Sequence, residues 1–153
     1  MLIQERVQGY SLAAKQIRTE ANSQNRHLQS SRTLGNSEWI DQLWKVWEEC
    51  RNENWDGYAA LPVPGESYEF AAQLISSLPP GFPKPEFGAE PDGELTIEWY
   101  QSPYRTISIS VTRDGYLHYS AIFGQKIHQN GTEAFNGELP SNIITLIKRV
   151  YGK

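Results

Sequence analysis

Residues 95–123 read LTIEWYQSPYRTISISVTRDGYLHYSAIF. Apolar and polar side chains alternate here three times over. Leu95, Ile97 and Trp99 alternate with Thr96, Glu98 and Tyr100; Ile107, Ile109 and Val111 with Ser108, Ser110 and Thr112; Leu117, Tyr119, Ala121 and Phe123 with His118, Ser120 and Ile122. A period of two over adjacent runs is the pattern of antiparallel strands with one buried and one wetter face. Ser102-Pro103 marks the first turn and Arg113-Asp114-Gly115 the second. A two-residue Asp-Gly turn would pair Val111 with His118 and Ile109 with Ser120, setting polar groups on the core face. A three-residue loop with Gly115 in the left-handed region instead pairs Val111 with Leu117, Ile109 with Tyr119 and Ile107 with Ala121. A slip of one residue exchanges the faces, so the spacing predicts the three-residue loop with a glycine bulge. Trp99 then lies opposite Ile107.

Working outward from the sheet, Gly124 and Asn130-Gly131 predict a further hairpin with a short strand near 132–135. Pro140 can open a last helix, lined by Ile143, Leu146, Ile147 and Val150. Toward the N-terminus, PPGFPKPEF (79–87) is too rich in proline for regular structure and reads as an ordered crossing loop. A helix fits 65–78, with Phe70, Ala71, Leu74, Ile75 and Leu78 as its stripe. Another starts at Ser37 as N-cap and ends before Asn54, with Trp39, Leu43, Val46, Trp47 and Cys50 on one face and Ile40 and Trp44 widening it. The predicted fold class is α+β: two N-terminal helices, a mainly antiparallel sheet of four to five strands, and a C-terminal helix packed on one sheet face. Residues 1–36 form a polar extension, with a thin helical stripe over about 4–20 and a linker over 21–36. Residues 37–153 form a single domain, and 153 residues suit one core.

The formal charge of −4 is unevenly spread. Residues 1–36 carry five basic and two acidic side chains, for +3; residues 37–98 carry three basic and thirteen acidic, for −10; residues 99–153 carry six basic and three acidic, for +3. This excludes a generally basic nucleic-acid binder. The single cysteine, Cys50, excludes an intramolecular disulfide. His27, His118 and His128 show no zinc-ligand spacing, and no phosphate-binding, metalloprotease or nucleophile-elbow motif occurs. No cofactor is expected. Gln4, Glu5, Arg6 and Gln8 interrupt any leader, and no run reaches the length of a membrane span, so a cytoplasmic protein without a membrane partner is expected.

Two segments stand out chemically. In NWDGYAALPVP (54–64), Asp56-Gly57 signals a turn, Asn54 can bond local backbone, and Trp55 and Tyr58 set two large aromatics on a connector between helices. They read as a staple of the loop to the core, or as a recognition surface. In PDGELTIEW (91–99), Pro91-Asp92-Gly93 turns into a strand whose Glu98 shares the outer face with Thr96, Ser108, Ser110, His118 and Ser120. A Ser110–His118–Glu98 relay can be drawn. It lacks a strained nucleophile elbow and an oxyanion hole, so a binding platform is preferred. Glu48, Glu49, Glu53 and Asp56 read as a solvated acidic helix end rather than a metal site. Arg105 and Arg113, near the turns, are candidates for contact with an anion.

Together, NWDGYAALPVP, PDGELTIEW, SPYRTISISVTRDGYLHYSAIFG and GTEAFNGELP, followed by a final helix, resemble a family of small uncharacterised bacterial proteins. These share an NWDGYGA-like element and a PDG-plus-strand-plus-EW element. The resemblance spans about 38–151, and this chain has Ala59 where the family element has glycine. It implies a bacterial, cytoplasmic protein and supplies no catalytic residues.

The expected function is therefore a non-enzymatic protein-binding module, such as an antitoxin, immunity or mobile-element accessory protein. Its partner would be another protein, encoded by a neighbouring gene. Asn54, Trp55, Asp56, Tyr58, Glu98, Arg105, Ser110 and His118 are the candidate binding residues. The alternatives are a small-molecule-binding or hydrolytic enzyme using the polar sheet face, and a nucleic-acid contact through the basic N-terminal segment.

Overall fold

A computed structural model describes residues 30–152, with side chains from residue 36 onward. Among the described residues, three helices and five strands run in the order α1 (Ser30–Cys50), α2 (Gly65–Ser76), β1 (Glu86–Ala89), β2 (Leu95–Ser102), β3 (Arg105–Val111), β4 (Tyr116–Phe123), β5 (Ile127–Ala134) and α3 (Ser141–Val150). The fold is α+β. The strands form one antiparallel meander in chain order, β1-β2-β3-β4-β5. The expected helix over 4–20 lies outside the described residues.

The predicted register holds across the central strands. Trp99 faces Ile107, Ile109 faces Tyr119 and Val111 faces Leu117. Gly115 has φ +85, the left-handed conformation the three-residue loop demands. A Cβ there would also come within 3.1 Å of the Phe70 ring, so the turn packs on α2. The inner face of β2–β4 is dry: Leu95, Ile97, Trp99, Ile107, Ile109, Val111, Leu117 and Ala121 are fully buried. The helices supply the other side of this core. Leu43, Trp47 and Cys50 come from α1, Ala71, Leu74 and Ile75 from α2, and Ile143, Leu146, Ile147 and Val150 from α3. Trp44, Trp47 and Tyr68 form an aromatic triad with ring centroids 5.1, 5.2 and 5.5 Å apart, joining α1 to α2. Offset and edge-on ring pairs of this kind add to simple area burial.

The structure corrects the sequence reading at three places. Helix α1 begins at Ser30, so Ser37 lies within it and is not its N-cap, and the end of the expected 21–36 linker is helical. That segment's last residue, Asn36, makes a tertiary contact. Asn36 Nδ2 donates to the Ile75 carbonyl at 3.1 Å, satisfying one of the last-turn carbonyls of α2. Second, Asn130-Gly131 is not a turn. The hairpin reverses at Gly124, whose φ is +78, and β5 runs unbroken through both residues. Gly131 is required for packing: a Cβ would sit 2.7 Å from the Tyr119 hydroxyl and 2.9 Å from its Cζ.

The expected crossing loop over 79–87 is also shorter, since its last residues, Glu86 and Phe87, begin β1 and pair with Glu98 and Ile97. Pro79 and Pro80 follow the end of α2 as expected, and the loop is held in place by Trp99, whose Nε1 donates to the Pro83 carbonyl at 2.9 Å. Pro140 is the N-cap of α3. No helix among the described residues is long and apolar enough to cross a membrane.

Candidate functional site

Helix α1 ends at Cys50, and the chain then makes a closed loop whose backbone is fixed by its own side chains. Asn54 and Ala59 adopt left-handed backbone, with φ +61 and +67, and Gly57 has φ +79. Asn54 is among the residues that tolerate this region; alanine is not. Asn54 Oδ1 accepts from the Ala59 N–H at 2.7 Å, and the Asn54 N–H donates to the Ala60 carbonyl at 2.8 Å. Asp56 Oδ1 accepts from the N–H groups of Tyr58 (2.8 Å) and Ala60 (3.0 Å). Trp55 Nε1 donates to the Leu61 carbonyl at 2.8 Å, and Trp47 Nε1 to the Val63 carbonyl at 3.0 Å. Three of the four candidates in this segment, Asn54, Trp55 and Asp56, thus have polar atoms engaged within the loop. Tyr58 differs: its side chain is 88% exposed.

The two unusual sequence segments form one joint. The Leu61 N–H donates to the Pro91 carbonyl at 2.8 Å. Gly93 has φ +94, and a Cβ on it would come within 3.0 Å of the Pro62 carbonyl oxygen. Only glycine meets both conditions at that contact. The Pro91-Asp92-Gly93 turn closes by paired backbone bonds, Glu90 N–H to Glu94 carbonyl and Gly93 N–H to Glu90 carbonyl, both 2.9 Å. Asp92 Oδ1 accepts from the Glu94 N–H at 3.1 Å.

Folding back in this way gathers Glu90, Asp92 and Glu94, whose carboxylates lie within 4.8 Å of one another. Burial pushes the Glu94 carboxyl above its ordinary value, Asp92 and Glu90 push it further, and His118 pulls it down. Beside this cluster an open cleft of about 520 Å³ runs between the two motifs and the β3–β4 turn. Leu61, Pro62 and Pro64 form one wall, Asp92, Gly93 and Glu94 the second, and Thr112, Arg113, Asp114, Tyr116 and His118 the third. Leu61 is 56% and Tyr116 49% exposed at its rim. Arg113 leans toward Glu66 at 3.8 Å, an exposed and weak pair.

The remaining candidates are dispersed. Ser110 and His118 are cross-strand neighbours, as expected from the register. The Ser110 hydroxyl, however, donates to Glu90 Oε2 at 2.9 Å, while His118 Nδ1 bonds Thr132 Oγ1 at 2.8 Å. Glu98 sits one row away, opposite Ser108 and Glu86, with Thr106 Oγ1 3.5 Å from its Oε2. The three groups of the relay are therefore not linked in series. Arg105 is at the opposite end of the sheet, where its Nη1 donates to the carbonyls of Arg149 (3.0 Å) and Val150 (3.4 Å), capping α3. Most of the basic N-terminal segment, residues 1–29, lies outside the described residues. His118 alone among the sheet-face candidates borders the cleft. Sequence reasoning missed the cleft because it follows from the docking of two loops distant in sequence. The alternating acids of Glu90-Pro91-Asp92-Gly93-Glu94 were its visible trace, since a turn at Asp92-Gly93 must fold Glu90 onto Glu94.

Comparison with family models, with curated proteins and with solved structures finds no match to this chain. The site therefore has to be read from its own chemistry.

Proposed function

We propose that this chain is a non-enzymatic protein-binding module and that the cleft beside the two docked loops is its recognition surface. The observation that carries the reading is the pair of exposed apolar groups, Leu61 and Tyr116, at the rim of a concave acidic site. Anchors on pre-ordered backbone, Leu61 on the closed loop and Tyr116 at the start of β4, bind with little loss of conformational freedom. The acidic lining, Asp92, Glu94 and Asp114 with Glu90 behind, favours a partner segment that carries Lys or Arg beside an aromatic or aliphatic anchor. An antitoxin, immunity or accessory role, with a partner encoded nearby, fits such a module. The resemblance to small bacterial proteins with paired NWDGYGA-like and PDG elements fits as well, since these two elements make the joint that shapes the cleft.

The test is selection of peptides from a random displayed library on the immobilised full chain, followed by titration watched by amide NMR. The reading expects enrichment of basic peptides with an apolar anchor and shifts confined to 58–64, 91–94 and 112–118. Leu61→Ala combined with Tyr116→Ala should weaken binding at least about tenfold, since anchors of this kind contribute upward of about 1–2 kcal/mol each. Enrichment of no peptide class, or binding indifferent to the double substitution in a folded protein, would overturn the reading.

A further inference from the structure

Among the described residues, the meander leaves β5 at one edge of the sheet, with β4 its only strand neighbour. In an antiparallel strand, successive residues direct their N–H and C=O groups to alternate sides. The Phe135 N–H donates to the Gly115 carbonyl at 2.8 Å, which continues the β4–β5 ladder past Tyr116 opposite Ala134. The odd-numbered residues of β5 therefore face β4, and His128, Asn130, Thr132 and Ala134 turn their backbone groups outward. The ladder has no register shift over its eight residues, and β5 contains neither proline nor lysine. These are the usual devices that blunt a free edge. Glu133, an inner-face charge of the kind that can also protect an edge, has its Oε2 bonded by Asn142 Nδ2 at 3.2 Å.

We infer that β5 pairs antiparallel with β5 of a second copy, about a two-fold axis through Gly131, to make one continuous sheet. The strand is complementary to itself in that register. His128 stands opposite Ala134 of the second copy and Asn130 opposite Thr132, so every outward N–H meets an outward C=O. On the inner face Gln129 stands opposite Glu133, an amide against a carboxylate, and no two like charges oppose. Shifting the axis to Thr132 leaves His128 without a pairing residue inside the strand, and an axis at Glu133 sets the two carboxylates face to face. Ile127, 49% exposed in the single chain, comes beside Phe135 of the second copy. A two-fold pairing of this kind closes on itself and adds no further copies. This interface is at the opposite side of β4 from β2 and β3 and does not use Leu61; it adjoins the cleft where Thr132 bonds His118 and Ala134 pairs with Tyr116.

Sedimentation equilibrium of the full chain tests it. The wild type should show a mass near twice 17.4 kDa at about 50 µM. Asn130→Lys with Thr132→Lys places lysines opposite each other across the axis and should weaken the dimer at least about tenfold, since like charges directly opposed are unfavourable. Asn130→Lys with Thr132→Glu restores opposite charges only in the proposed register and should recover the dimer; both doubles lose the His118–Thr132 bond equally. In the wild type, exchange of the His128, Asn130, Thr132 and Ala134 amides should slow as concentration rises, a readout that needs no substitution. A monomeric wild type at 50 µM, a dimer unaffected by the double lysine change, failure of the Lys–Glu pair to recover it, or concentration-independent exchange at these amides would each overturn the inference.

Discussion

Ala59 holds a backbone conformation that costs an L-residue with a Cβ about 1–2 kcal/mol relative to glycine. Its φ of +67 is imposed by the bonds that Asn54 and Asp56 make to the surrounding N–H groups. Ala59→Gly should therefore raise stability by about 1 kcal/mol in urea unfolding, somewhat less than the strain relieved because glycine also loosens the unfolded chain. Gly131 is the reverse case. Its backbone is ordinary, but the Tyr119 ring fills the place of a side chain. Tyr119 cannot easily yield, because its hydroxyl accepts from Asn142 Nδ2 at 3.0 Å. Gly131→Ala should destabilise the fold by about 1–3 kcal/mol, read as a lower denaturation midpoint at an unchanged slope.

At the scale of elements, the β1–β2 turn concentrates like charge. Glu94 is held above its ordinary pKa of 4.5 by burial first and by Asp92 second, against the pull of His118. The folded protein thus binds this proton more tightly than the unfolded chain does. Its contribution favours folding below the ordinary value and is lost as pH rises through the folded one. Glu94→Gln should raise the melting temperature at pH 7 and leave it nearly unchanged near pH 3, where both side chains are neutral. The same turn shows how far the sequence was legible. The alternation from Leu95 to Phe123 determined pairing, buried face and the Gly115 loop, because a one-residue error would expose Ile107, Ile109 and Val111 together. Asn130-Gly131 misled, since the cause of that glycine is a tyrosine twelve residues earlier. Ser37 misled because cap residues and helix-surface residues share a chemistry. Asn54, Trp55 and Asp56 were legible as special positions, but their polar atoms are used inside the loop. The cleft was hidden because it depends on Pro62 meeting Gly93, and no local pattern records that meeting.

At the scale of the molecule, one mixed core among the described residues joins helices α1, α2 and α3 to the sheet, and Cys50 lies inside it at 6% exposure. Its carbonyl accepts from the Val63 N–H at 2.9 Å, so the thiol sits where α1, the closed loop and α2 converge. Burial pushes the thiol pKa up, with Glu49 adding to the rise, which keeps it protonated and unreactive at neutral pH. Labelling by a thiol reagent should therefore proceed only through unfolding, at a rate that follows global stability across the substitutions above. Fast labelling of a folded sample would show instead that the end of α1 opens locally.

The strand order 1-2-3-4-5 also bears on how the chain reaches this state. Each strand meets its neighbour across a short reversal, so sheet assembly asks little loop-closure entropy at any step. Docking α1 against the sheet joins residues far apart in sequence and is the costly closure. Hairpins β2–β3 and β3–β4 should accordingly form in the rate-limiting ensemble and α1 should arrive after it. Ile109→Val would then slow refolding, whereas Leu43→Ala would chiefly hasten unfolding, and stopped-flow chevrons separate the two.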